Sequence, residues 1–266
     1  MTALDGEPHP PFEPDSTLVG EVRPAVNYGP RTGEGAGGPD MLLLHYTGMD
    51  GAAQRALDWL CCAESLVSCH YFVFEDGRIV QTVPESVRAQ HAGVSYWHGE
   101  VDNNSRSIGI EIAHPGHVTV QQGGELQPFE DVQIAAVLKL CADIVRRNDI
   151  LPERVVAHSD IAPERKEDPG ELFPWHVLHA AGIGHWVEPA PIEAGTFFQE
   201  GDTGQPVEAL QAMLARYGYN APITGTFDGQ TRLCVTAFQR HFRQARVDGV
   251  ADRSTIETLY ALLKSV

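Results

Sequence analysis

Two stretches of this 266-residue chain carry side chains that packing alone does not explain. Residues 155–175 read VVAHSDIAPERKEDPGELFPW, which sets His158, Lys166 and Asp168 into one proline- and charge-rich loop directly after a short apolar run. A second histidine, His45, falls at the end of the apolar run in MLLLHYT. Hydrolytic zinc centres use three ligands drawn from His, Asp, Glu and Cys and keep a fourth position open for water. His45, His158 and Asp168 would supply such a set, because a cation draws two neutral rings and a carboxylate together in their deprotonated forms. The alternative is that all three are solvent-facing loop residues.

The open position matters because zinc lowers the pKa of its bound water from about 15.7 to about 7. A second group must still move protons. Glu111 interrupts the apolar strand-like run SIGIEIA, where a carboxylate is costly unless a charge or a function offsets it. It is either that acid/base group or an ordinary outward-facing strand glutamate. Lys166, two residues before Asp168, either stabilises the oxyanion of an attacked carbonyl or is a solvated loop charge. The segment RAQHAGVSYWHG brings His91, Tyr96, Trp97 and His98 into one glycine-bounded loop suited to the wall of a sugar or peptide groove, or else to packing beneath it. His70 either packs against a neighbouring strand or sits at the periphery of the site.

These groups need elements to position them. Residues 41–44 form a continuous apolar run, as in a strand buried on both faces, and His45 lies at its C-terminal end, where ligands commonly collect. Helical spacing of Ala53, Ala56, Leu57, Leu60 and Cys61 predicts a helix over about 50–64 with Asp50 as a possible N-cap. The runs 69–74 and 78–83 flank Glu75-Asp76-Gly77, a hairpin signal. A strand follows at 107–113, the longest helical pattern at 130–147, a strand at 155–157 and a short helix at 175–181. The fold class is therefore α/β: a mixed central β-sheet flanked by helices, since the hairpin excludes a purely parallel sheet.

Beyond a proline-containing linker at 188–196, GTFDGQT at 225–231 is echoed by GVADRST at 249–255. In each copy a glycine ends one segment, an aspartate can cap the next helix, and an amphipathic stretch follows. With a helix at 207–217 this gives a small all-α, three-helix C-terminal domain. The expected division is a loose arm at 1–20, a catalytic domain at 21–187, the linker, and a helical domain at 197–266.

Lys and Arg total 19 against 36 Asp and Glu, a formal net charge of -17, so phosphate backbones and anionic lipid are poor partners. No apolar run is long enough to span a bilayer. The start MTALDGEPHPPFEPDS has neither a basic nor an apolar leader region, which points to the cytoplasm, with the cell envelope as the alternative. Five unevenly spaced cysteines do not make a disulfide framework and read as free thiols.

LLLHYT around His45, VSCHYFV around His70, QHAGVS at His91, SIGIEI around Glu111 and above all AHSDIAPERKEDPG followed by FPW occur in one order. Together they resemble the zinc-dependent N-acetylmuramoyl-L-alanine amidases of type 2, the AmpD/AmiD family, over roughly residues 23–186. VEALQAMLARYGY and VTAFQRHF resemble a three-helix peptidoglycan-binding module. The resemblance implies one zinc per chain on His45, His158 and Asp168, with Glu111 as acid/base group and Lys166 as transition-state stabiliser. It implies a bacterial peptidoglycan or muropeptide substrate; His70, His91 and Trp97 stand as candidate substrate contacts beside it. Two other readings are a peptidoglycan-recognition protein that does not cut and a zinc peptidase acting within the stem peptide.

Overall fold

The computed structural model describes residues 7–49 and 51–265. Strands β1 (Glu21–Val22), β2 (Tyr28–Gly29), β3 (Met41–Tyr46), β4 (Tyr71–Val73), β5 (Ile79–Gln81), β6 (Arg88–Ala89), β7 (Ser107–Ile112) and β8 (Val155–Ala157) belong to the first two thirds of the chain, and β9 (Phe197–Phe198) and β10 (Ala251–Asp252) to the last. Helices are α1 (Ala53–Cys61), α2 (Asn103–Arg106), α3 (Val118–Gln121), α4 (Asp131–Asn148), α5 (His158–Ile161), α6 (Trp175–Ala180), α7 (Gln205–Tyr217), α8 (Gly229–Phe242) and α9 (Arg253–Ser265). None is long and apolar enough to cross a membrane among the described residues.

Six strands form the central sheet in the order β1-β5-β4-β7-β3-β8. β4 and β5 pair antiparallel, as the Asp-Gly signal predicts, and β3 pairs parallel with both β7 and β8. The sheet is mixed, and β3, the run MLLLHY, lies inside it with Met41 to Leu44 fully buried. Each such side chain contributes about 1.5–3 kcal/mol relative to an exposed one. Alternation divides them: Leu42 and Leu44 face α4 with Ile108, Ile110, Val137 and Leu140, while Met41 and Leu43 face the other way. The Asp50 cap lies outside the described residues. α1 begins at Ala53 and buries Ala56, Leu57, Leu60 and Cys61 on the sheet.

The C-terminal helices are not a free appendage. Met41, Leu43, Trp97, Val156 and Ile161 share one continuous core with Val207, Leu214, Tyr219, Phe238 and Leu259. The repeat seen in the sequence is structural, since Asp228 accepts from Thr231 N at 2.8 Å and Asp252 from Thr255 N at 2.8 Å, each opening its helix.

Candidate metal centre

Strand register places the chemistry. Met41, Leu43 and His45 pair with Ser107, Gly109 and Glu111, so His45 and Glu111 stand side by side on one face of adjacent parallel strands. Leu44 pairs with Ala157, and the next residue, His158, opens α5 beside His45. Asp168 returns to the same point because its carbonyl accepts from Ser159 N at 3.0 Å.

His45, His158 and Asp168 converge in a buried cluster. His45 Nδ1 lies 2.8 Å from His158 Nδ1 and 3.1 Å from Asp168 Oδ2, and His158 Nδ1 lies 3.0 Å from that same oxygen. Tetrahedral ligands about 2.0–2.1 Å from zinc stand about 3.3 Å apart, so the triangle is close to what the ion needs.

Following the protons sharpens this. His158 Nε2 is 3.1 Å from the Ala92 carbonyl, which can only accept; Nε2 therefore holds the hydrogen and Nδ1 presents a lone pair. The Ser107 hydroxyl donates to Asn103 O at 2.5 Å, which spends its one hydrogen, so His91 Nε2, 3.4 Å from that hydroxyl, must be the donor. His91 Nδ1 then accepts from His45 Nε2 at 3.0 Å, which leaves His45 Nδ1 with a lone pair as well. Two ring lone pairs and a carboxylate oxygen thus face one another with no hydrogen between them. Such a donor set fits a cation, and outer partners that fix the ring tautomer accompany metal-bound histidines.

The electrostatics agree. Burial, then the neighbouring His158, brings the His45 imidazole down to about 4. Burial alone would push Asp168 up, but positive charge in the cluster, carried by the rings when protonated or else by a cation, holds its carboxyl well below the usual carboxylate range. Burial, then the Asp168 charge, pushes Glu111 well above its ordinary value, while Lys166 pulls it down. Glu111 is partly exposed as a residue, yet its Oε2 is buried without a hydrogen-bond partner among the described residues.

A cleft of about 250 Å³ opens over this floor. Glu111, His158, Lys166 and Asp168 line it together with the apolar side chains of Met49, Trp59, Leu60 and Val67. Of the three candidate substrate contacts, His91 lines this cleft, and His70 and Trp97 do not. His91 borders the cleft but lies under it, holding His45. His70 is fully buried, accepting from Gly109 N at 3.0 Å and lying 3.1 Å from Arg31 Nη2. Trp97 is 1% exposed and packs on Tyr217 and Tyr219 beneath the helical unit, away from the cleft.

Sequence reasoning missed the supports. Arg31, at the head of the glycine-rich stretch RTGEGAGG, is buried and donates to the carbonyls of Glu85, Ser105 and Ser107. Gly109 makes room for His91, since a Cβ there would stand 2.5 Å from the ring. The glycine in SIGIEI was the available signal.

Residues 35–171 match the family model of N-acetylmuramoyl-L-alanine amidases, and residues 203–259 match that of a peptidoglycan binding domain. The N-acetylmuramoyl-L-alanine amidase AmiD of Escherichia coli is 39% identical over 231 residues, covering 84% of this chain and 82% of that protein. The 1,6-anhydro-N-acetylmuramyl-L-alanine amidase AmpD of Enterobacter cloacae is 36% identical over 118 residues, 44% of this chain and 58% of its own length. Among solved structures, E. coli AmiD in complex with the substrate anhydro-N-acetylmuramic acid-L-Ala-D-gamma-Glu-L-Lys superposes with a TM-score of 0.73 at 38% identity, covering 85% of this chain and 89% of that one. AmpDh3 from Pseudomonas aeruginosa gives 0.69 at 31% identity, covering 97% and 99%.

Proposed function

The chain belongs to the N-acetylmuramoyl-L-alanine amidase family, and on that premise we propose how its residues work: a zinc ion on His45, His158 and Asp168, with Glu111 and Lys166 acting on the substrate. The enzyme hydrolyses the amide between N-acetylmuramic acid and L-alanine in peptidoglycan or muropeptides. The observation that carries the zinc assignment is the meeting of two imidazole lone pairs and a carboxylate oxygen at 2.8–3.1 Å.

Zinc, when bound, supplies a Lewis acid that polarises the carbonyl and brings the pKa of a water to about 7. Glu111, beside His45 in the strand register and with Oε2 unpartnered, takes a proton from the attacking water. It delivers that proton to the departing amine of L-alanine as the C–N bond breaks. Lys166, on the cleft wall, faces the negative charge gathered on the carbonyl oxygen. The apolar wall of Met49, Trp59 and Leu60 suits the lactyl and acetyl groups of the sugar. In this reading residues 21–187 form the catalytic part, 188–196 the connector, and 197–266 the part that meets the glycan–peptide polymer.

Replacing Glu111 by Gln keeps the metal and lowers kcat by about 10²–10⁴-fold. Zinc content is measured by elemental analysis and products by mass spectrometry, where the wild type releases an intact stem beginning with L-alanine. Turnover near wild type in Glu111→Gln would end the Glu111 assignment. Wild-type protein that binds no zinc would end the metal assignment.

A further inference from the structure

Asp160 lies two residues past His158, at 1% exposure, where the helical unit meets the sheet. Its Oδ2 accepts from Ala157 N at 2.8 Å, which closes the turn that opens α5. The same oxygen lies 2.6 Å from His241 Nδ1 on α8, and Oδ1 accepts from the Tyr219 hydroxyl at 2.6 Å. His241 is sandwiched between Trp175 at 3.7 Å and Phe242 at 3.8 Å, so its ring has one place to be. The preceding residue, Arg240, donates to Glu167 Oε1 at 2.8 Å, immediately before Asp168. Consecutive residues of α8 therefore hold both approaches to the cluster: the turn of His158 and the segment of Asp168, which are themselves joined through Ser159 N and the Asp168 carbonyl.

We propose that His241 and Tyr219 are positioning residues for the metal site, locking through Asp160 the turn that presents His158, so that the C-terminal helical unit is a working part of the metal centre. This rests on the reading of His158 and Asp168 as zinc ligands. A carboxylate with three donors on two oxygens holds its turn in one geometry. With one donor removed the turn gains freedom, and ligands that must be found in place bind the ion less tightly.

The test is zinc affinity of the full-length protein, measured by competition with a chelator well below each variant's unfolding temperature, together with the visible absorption of the cobalt(II) form. His241→Phe keeps the stacking and removes the donor, and weakens zinc at least about tenfold, in the range for outer partners of metal ligands. His241→Asn, whose side-chain amide can replace the ring N–H, restores affinity to within about threefold of wild type. Tyr219→Phe, which removes a single hydroxyl, weakens zinc in the same direction and serves if His241→Phe does not fold. Leu259→Ala, in the same helical unit but on α9, lowers Tm and leaves zinc affinity and the cobalt spectrum unchanged. Wild-type affinity in both His241→Phe and Tyr219→Phe overturns the proposal, as does an equal loss in Leu259→Ala, which would mean general loosening. Absence of zinc binding in the wild type itself overturns the metal reading and this inference with it.

Discussion

The two buried glutamines of the helical unit and the polar cluster at the edge of the sheet are satisfied in opposite ways. Gln211, fully buried on α7, accepts from Thr224 N and Gly225 N, each at 2.9 Å, and donates to Thr226 O and Thr231 Oγ1, each also at 2.9 Å. Gln239 on α8 repeats the pattern, accepting from Asp248 N at 3.0 Å and Gly249 N at 2.8 Å and donating to Val250 O at 2.8 Å. Every oxygen lone pair there meets a hydrogen. At His45, His158 and Asp168 acceptors meet acceptors, and Glu111 Oε2 has no hydrogen-bond partner among the described residues. Matched polar groups specify a fold, whereas buried acceptors that face other acceptors mark where the fold awaits a cation.

This contrast can be broken from either side. Gln211→Leu strips acceptors from two turn amides and, at about 1–3 kcal/mol for each buried unpaired group, lowers stability by about 2–6 kcal/mol while zinc affinity stays unchanged. Urea unfolding and chelator competition read the two quantities separately, and a large loss of zinc affinity would show that the regions are not distinct in this respect.

His91→Phe does the converse. It leaves His45 Nε2–H without its acceptor and weakens zinc about 10–100-fold, equivalent to about 1.4–2.7 kcal/mol. Unchanged affinity would show that the Ser107–His91–His45 chain does not set the ring.

The smallest effect concerns Glu111 in the metal-free protein. Its folded pKa lies above the unfolded value, so between the two the folded state binds the extra proton and stability falls as pH rises. Glu111→Gln cannot titrate. Its Tm therefore matches wild type near pH 4 and exceeds it increasingly towards pH 8 in thermal scans. A variant less stable than wild type at pH 8 would show that the carboxylate is welcome where it sits.

How much of this was legible in the chain differs by distance. MLLLHYT, SIGIEI and VVAHSD announce strands ending in polar groups, and parallel pairing then needs only register to bring His45, Glu111 and His158 to one edge. The hairpin at Asp76-Gly77 and the aspartates that open α8 and α9 follow from local hydrogen bonding, which short-range sequence carries. The supports were not legible because they pair residues far apart. Arg31 reaches Ser107, and His241 reaches Asp160, with no periodicity linking them. Trp97, whose glycine-bounded loop suits either a groove wall or packing beneath it, is claimed by aromatic residues of a unit more than a hundred positions later. An amphipathic ring suits both environments, and only tertiary packing decides between them.

The interior shared by Met41, Leu43 and the last helices also orders events in time. A polypeptide leaving the ribosome presents its strands early, with one flank of the sheet still bare. Only when α8 has emerged can the turn at Asp160 meet His241, so the turn that carries His158 acquires its last support well after the strands beside it have been made.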